Sequence, residues 1–316
     1  MNVFMFSGQG SQYYHMAEGI YQSNKLFREN ITEMDNMIYE ISGKHIVEEI
    51  FNNSKLKGEP FDDITYTHPS IFMIEYAISK TLMEYGVIPD YLIGTSLGEL
   101  VAACISNAIK LEDAIFNIIK QAECFEKNCK KGGMISVLSS HKIYQQMYEI
   151  FEDTEIAAIN YEGHFIVSGY SRAIKNTITK LEKYHIPFVV LPVKYGFHST
   201  CIDEVKDCYL GIIKNFDLHK PKIRMVSCVK AQEIESIDHE YLWNVARKPI
   251  LFQETIKYLE RKGSYNYIDI SVGGNLAGFT KRILSSESKS SIEVTETPFS
   301  NFNENVLKIK NKIMLQ

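Results

Sequence analysis

Tyr91-Leu92-Ile93-Gly94-Thr95-Ser96-Leu97-Gly98-Glu99-Leu100 decides how this chain reads. A short apolar run stops at Gly94. Ser96 follows, flanked by Gly94 and Gly98, and then Leu97, Leu100, Val101, Cys104 and Ile105 fall at helical spacing. Strand, sharp turn and helix around G-x-S-x-G is the context of a nucleophile elbow, in which a strained turn lifts a serine hydroxyl clear of a sheet. Small flanking residues let the backbone pass close on both sides. The turn also sets Ser96 at a helix N-terminus, where free N–H groups favour developing negative charge. The plainer reading makes Ser96 only the N-cap of that helix.

The rest of the sequence bounds the class. The chain has 316 residues, 45% apolar and 23% charged, enough for one large domain or two parts sharing a core. A net charge of -5 argues against a nucleic-acid partner. No apolar run is long enough to span a bilayer, and the start lacks a basic n-region, so the expectation is a cytoplasmic protein with no membrane partner. Cys104, Cys124, Cys129, Cys201, Cys208 and Cys228 form neither C-x-x-C nor zinc spacing, the histidines are scattered, and no metal is expected.

Outward from the elbow, residues 2–6 read as a buried strand running into Ser7-Gly8-Gln9-Gly10-Ser11-Gln12. That glycine-rich loop matches no phosphate-binding motif; it is either a plain turn or a donor of one backbone N–H to an oxyanion. Apolar spacing predicts a long helix over 17–50 and another over 71–85, with His68 extended before Pro69. A helix over 111–125 carries Gln121. Beyond Lys130-Lys131-Gly132-Gly133 the pattern alternates: strand 134–138, helix 141–152, strands 155–160 and 165–169, helix 172–184, strand 188–193. This β-α-β-β-α-β order predicts a ferredoxin-like subdomain over 131–195, inserted into a larger one of 1–130 and 196–316. His198 stands where the chain re-enters the larger part, after Gly196. A lone histidine is more often structural, yet it suits a base near neutral pH. Strands and helices continue to alternate, so the core is expected to be a mostly parallel α/β sheet.

Ser7–Gln12, Thr67-His68-Pro69, Gly94–Glu99, Gly132-Gly133-Met134, Asn160, Gly196-Phe197-His198-Ser199 and Val272-Gly273-Gly274 together resemble the malonyl-CoA:acyl-carrier-protein transacylase family, which includes polyketide synthase acyltransferase domains. The resemblance covers nearly the whole chain. It implies an α/β-hydrolase-like core with the ferredoxin-like insertion, no bound cofactor, and the phosphopantetheine arm of an acyl carrier protein, or coenzyme A, as part of the substrate. It implies Ser96 as nucleophile and His198 as base, with backbone N–H groups of Gln9 and Leu97 as oxyanion hole. A main-chain carbonyl orients the family's histidine; by position before Pro249 it would be that of Val245. Thr95, Phe197 and Asn160 fall with Gln121 at positions expected to shape the acyl pocket.

The departures from the family pattern carry the specificity. Members selecting malonyl groups hold the free carboxylate with an arginine on the helix before the Gly-Gly-Met turn. Here that position is Gln121, or, if the alignment slips by one, Lys120 does the arginine's work. Losing such an ion pair costs about 2–5 kcal/mol of malonyl binding. Thr95 stands for a usual histidine, Ser7 for proline and His68 for glutamine, and Tyr195-Gly196-Phe197-His198 departs from the malonyl-type signature. The chain looks like the acyl-hydrolase branch that accompanies polyketide synthases lacking built-in acyltransferases. The expectation is a discrete monomeric acyl hydrolase that edits acyl carrier proteins. The alternatives are an acyltransferase moving a malonyl or neutral acyl group from coenzyme A to the carrier, and a degenerate scaffold that only docks carriers.

Overall fold

The computed structural model describes residues 1–297 and 302–314. β1 (Asn2–Phe6) is followed by helices α1 (Glu18–Ser23), α2 (Lys25–Ser42), α3 (Ile46–Ile50) and α4 (Ile64–Glu84). The helix expected over 17–50 is therefore three. The Asn24 side chain accepts from Phe27 N–H and opens α2, and Gly43, at φ 70°, ends it. Helix α4 begins seven residues earlier than expected, because Asp63 accepts from Thr65 N–H and caps it. His68 is thus helical rather than extended, and Pro69 lies inside the helix. The burial of nearly every residue from Thr67 to Leu82 outweighs the hydrogen bond that proline forfeits.

Next come β2 (Tyr91–Gly94), the elbow, α5 (Leu97–Ile105) and α6 (Leu111–Asn128). β3 (Gly132–Val137), the single turns α7 (Ile143–Gln146) and α8 (Tyr148–Phe151), β4 (Thr154–Tyr161), β5 (His164–Tyr170), α9 (Ser171–Lys183) and β6 (Phe188–Val190) follow. These four strands form a sheet in the order β4-β5-β3-β6. Each neighbouring pair is antiparallel, the ferredoxin-like arrangement that the alternation predicted. The helix expected over 141–152 breaks at Met147 (φ −125°, ψ 49°).

The chain then adds α10 (Lys206–Ile213), β7 (Arg224–Ser227), β8 (Gln232–Ile234), α11 (His239–Arg247), α12 (Phe252–Glu260), β9 (Asn266–Asp269), α13 (Asn275–Ile283), β10 (Ser291–Val294) and α14 (Phe302–Met314). The larger sheet runs β10-β9-β1-β2-β7-β8, parallel throughout except for β8. β1, β2 and β9 are buried almost from end to end because helices cover both faces. The edge strands β8 and β10 are half-buried and short, and escaped the sequence reading. Among the described residues no helix is long and apolar enough to cross a membrane.

Parallel strands deliver their following loops to one rim. Here β1, β2, β7 and β9 end side by side, and their loops begin at Ser7, Thr95, Cys228 and Ile270. The smaller sheet closes over that rim. Ile250 N–H donates to the Ala157 carbonyl and Ile159 N–H to the Ile250 carbonyl, both at 2.9 Å, so β4 is stitched to the segment after α11.

Candidate active site

Two glycines permit the elbow. A Cβ on Gly94 would lie 2.2 Å from the Glu99 nitrogen, and one on Gly98 would lie 2.3 Å from the Phe6 carbonyl oxygen. Ser96 itself adopts φ 53°, ψ −121°, a strained backbone for a residue with a side chain. Its side chain makes no capping bond to α5, which sets aside the N-cap reading. The hydroxyl instead meets His198 Nε2 at 2.9 Å.

His198 arrives from the far side of the cleft, also at positive φ (59°), with its N–H bonded to the Ala246 carbonyl at 3.0 Å. Its Nδ1 lies 2.8 Å from the Lys248 carbonyl oxygen. This corrects the expectation of Val245: α11 ends at Arg247, and the extended backbone of Lys248 (φ −89°, ψ 155°) turns its carbonyl off the helix direction and toward the ring. Val245 lines the cleft instead. Because Nδ1–H donates to that carbonyl, Nε2 is left as the acceptor facing Ser96. Burial pushes the His198 pKa down to about 4, partly opposed by the Lys248 bond, so the ring is neutral at neutral pH. A neutral imidazole nitrogen against a serine hydroxyl is arranged to take its proton.

The loop after β1 lies against the elbow. A Cβ on Gly8 would meet the Thr95 oxygen at 2.7 Å, Ser96 Cβ at 3.0 Å and the Leu97 nitrogen at 3.4 Å. Leu97 N–H, first of α5, has no intrahelical acceptor by its position. Gln9 and Leu97 both line the cleft beside Ser96. Thr95 lines it too, with its hydroxyl on the Phe6 carbonyl.

Gln121, Phe197 and Asn160 also line this cleft. Gln121 and Asn117, one turn apart on α6, both lie beside the buried Tyr209 hydroxyl. Phe197 stacks edge-on with Phe125 and Tyr195, at 5.2 and 5.9 Å between centroids. Asn160 Nδ2 donates to His164 Nδ1 at 3.3 Å, and His164 Nε2–H points to Ser136 Oγ at 2.6 Å. Burial lowers the His164 pKa, which keeps this strip uncharged. Lys120 does not join them; its ammonium pairs with Glu123 at 2.8 Å on the outer face of α6. Among the described residues no lysine, arginine, aspartate or glutamate lines the cleft.

Sequence reasoning missed the buried acids that set the loops. Glu99 accepts from Cys228 N–H (2.7 Å), Ser227 Oγ (3.2 Å) and Tyr241 Oη (2.6 Å), tying α5 to the end of β7 and to α11, the helix that leads to Lys248. Glu75 accepts from both the N–H and the hydroxyl of Ser7, at 2.9 and 2.6 Å, and so holds the loop carrying Gln9. Asp269 accepts from Ser271 and from Ala277 N–H at the start of α13. Burial outweighs these bonds and raises the pKa of Glu99 to about 7 and of Asp269 to about 6; Glu75 is raised as well. The only signal for Glu99 was its place two residues after the Ser96–Leu97 pair, on the buried side of an all-apolar helix. Glu75 and Asp269 gave none. His68, Asn117, Ser136, His164 and Tyr209 likewise join the cleft only through the tertiary fold.

The chain matches the acyl transferase domain family over residues 3–303. It is 38% identical over 297 residues to the polyketide biosynthesis acyltransferase homolog PksD of Bacillus subtilis, covering 94% of this chain and 92% of that one. It is 34% identical over 312 residues to the homolog BaeD of Bacillus velezensis, covering 99% and 96%. Among solved structures, a loading acyltransferase from the avermectin modular polyketide synthase superposes with a TM-score of 0.89 at 18% identity, over 99% of this chain and all of that one. The malonyl CoA-acyl carrier protein transacylase of Clostridium perfringens does so with a TM-score of 0.83 at 24% identity, over 100% and 99%. At those identities the structures bear on the fold, and the family match with the two Bacillus relatives places this chain in the acyl transferase domain family, beside the acyltransferase homologs of polyketide biosynthesis.

Proposed function

We propose that this protein is a discrete acyl hydrolase that unloads acyl groups from the acyl carrier proteins of a polyketide synthase. His198 Nε2 takes the Ser96 proton as Oγ attacks the thioester carbonyl carbon. Backbone N–H groups of Gln9 and Leu97 hold the oxyanion. Collapse breaks the C–S bond, and the proton on His198 goes to the departing phosphopantetheine sulfur. Water then attacks the acyl-serine with His198 again as base. Collapse of that second tetrahedral intermediate frees the carboxylic acid and restores the serine.

The observation that carries the reading is the uncharged cleft: Gln121, a neutral amide in its lining, stands where a malonyl-selective site needs a guanidinium, and Lys120 faces away. A malonyl carboxylate would lie there without a counter-ion. The family match supports a second reading, a transferase that moves a neutral acyl group to a carrier thiol. The Ser96–His198 contact argues against a mere docking scaffold.

Intact-protein mass spectrometry separates these. Acetyl- and malonyl-loaded carrier proteins are each incubated with the enzyme, alongside free carrier with acyl-coenzyme A. Loss of acetyl from the carrier, slow loss of malonyl and no loading from coenzyme A are expected. Efficient malonyl loading would overturn the reading, and acetyl loading without net hydrolysis would favour the neutral-acyl transferase.

The pH profile follows from His198. A base whose pKa is held near 4 stays unprotonated down to that value, so the acid limb of kcat/KM should fall near pH 4 rather than at the ordinary 6.5. The histidines His198 and His68 (pKa about 4) refuse protons that the unfolded chain would bind, so their contribution to stability falls as pH drops below 6.5. The raised carboxyls of Glu99 and Asp269 work in the opposite sense, favouring the fold in acid and losing that contribution as pH rises through 6 to 7. Circular dichroism across the same range separates unfolding from loss of the base. A limb at pH 6.5 with the fold intact would mean that His198 is hydrated in the working enzyme.

A further inference from the structure

The acyl-serine chemistry leaves three polar atoms of the cleft without work. Gln9 Nε2, His68 Nδ1 and Asn117 Oδ1 are buried, and no hydrogen-bond partner reaches any of them. All three residues line the same cleft as Ser96. A buried polar group left unpaired carries the full cost of its lost hydration, so three around one cavity call for an occupant that brings its own hydrogen-bonding groups.

Each of the three is held in place. Thr67 Oγ1 donates to Gln9 Oε1 at 3.1 Å, which fixes that amide. His68 follows Thr67 on α4, with its ring 6.2 Å from that of Phe197. Asn117 is buried on α6 beside the Tyr209 hydroxyl. The chemistry of the set is neutral and mixed: an amide N–H donor, an amide oxygen acceptor and an imidazole nitrogen whose ring burial keeps uncharged. A plain hydrocarbon chain would leave all of them unpaired. A carboxylate would meet no cation. A ketone satisfies the donor alone, whereas a hydroxyl both donates and accepts.

We propose that the acyl groups this site selects carry a hydroxyl one or two carbons from the thioester carbonyl, received by Gln9, His68 and Asn117. The inference rests on the acyl-serine reading and narrows its substrate class from neutral acyl groups to hydroxyacyl groups.

The test is a competition. Equimolar butyryl- and 3-hydroxybutyryl-pantetheine are offered to the enzyme, with 2-hydroxybutyryl- and 3-oxobutyryl-pantetheine in parallel. Acylation of Ser96 is then followed by rapid quench and intact mass. A hydroxybutyryl group should be taken up about tenfold or more faster than butyryl, the discrimination of one neutral hydrogen bond or better, with 3-oxobutyryl between them. Asn117→Leu and His68→Leu should bring the ratio of hydroxybutyryl to butyryl toward one, a change in selectivity that a general loss of packing would not produce. Equal or faster uptake of butyryl by the wild-type enzyme would overturn the inference while leaving the acyl-serine reading standing. Absence of any acyl-Ser96 would overturn both.

Discussion

Ser96→Ala and His198→Ala should each lower kcat/KM for acyl removal by roughly 10⁴-fold or more, and the double variant should be no worse than either alone. The non-additivity follows from geometry. A serine hydroxyl is a weak nucleophile until its proton has somewhere to go, and His198 Nε2 at 2.9 Å is that place. Without the base the hydroxyl is inert, and without the hydroxyl the base has nothing to activate. Residual rate would come from binding and from the Gln9 and Leu97 N–H groups alone. The strained backbone at Ser96 supports the same view, since φ 53° is retained only where the turn fixes it between Gly94 and Gly98. Intact mass should detect no acyl-enzyme for Ser96→Ala. Single variants that retain more than a tenth of the activity, with their fold intact, would remove Ser96 and His198 from the chemistry.

Gln121→Arg is the second large effect. It introduces a guanidinium at the position where the resemblance to malonyl-selective transferases expects one, on a helix face already turned into the cleft. Pairing with a malonyl carboxylate in that apolar setting is worth about 2–5 kcal/mol, or a shift of roughly thirty- to several-thousand-fold in malonyl over acetyl acylation of Ser96. The neutral substrate should lose ground at the same time, because it leaves the introduced charge unpaired. The substitution also places a longer, charged side chain beside the buried Tyr209, so the melting temperature should be read beside the ratio. A folded Gln121→Arg protein with an unchanged malonyl-to-acetyl ratio would mean that position 121 does not meet the acyl group.

The same residue marks where sequence stops. That Gln121 lies on a helix after the elbow is periodicity, and a helix repeats its faces every three or four residues whatever packs against them. Whether Gln121 or Lys120 faces the cleft depends on α6 packing against α4 and α10, and only the assembled structure turns Lys120 out to Glu123. The histidine's carbonyl is a similar case. A position before Pro249 pointed to Val245, but that residue is helical in α11, whereas the extended backbone of Lys248 turns its carbonyl to the ring.

Much was local and therefore legible. The elbow is written in Gly94, Ser96 and Gly98, because the steric needs of a tight strand-to-helix turn act on adjacent residues. The ferredoxin-like order was written in alternating apolar patterns between residues 132 and 190, because strand and helix periods differ. The parallel core was written in the continued alternation of strands and helices on both sides of the insertion, with short apolar runs in β1 and β2. What remained hidden was long-range. The contact of Ser96 with His198 spans 102 positions, that of Glu99 with Tyr241 spans 142, and that of Ser7 with Glu75 spans 68. A buried acid looks like a surface acid until the fold closes over it, and a histidine such as His68 looks like any other until burial strips its partners away. Composition and period determined the elements and their order; only tertiary packing, by bringing distant chain segments out of water together, decided which polar groups became the site.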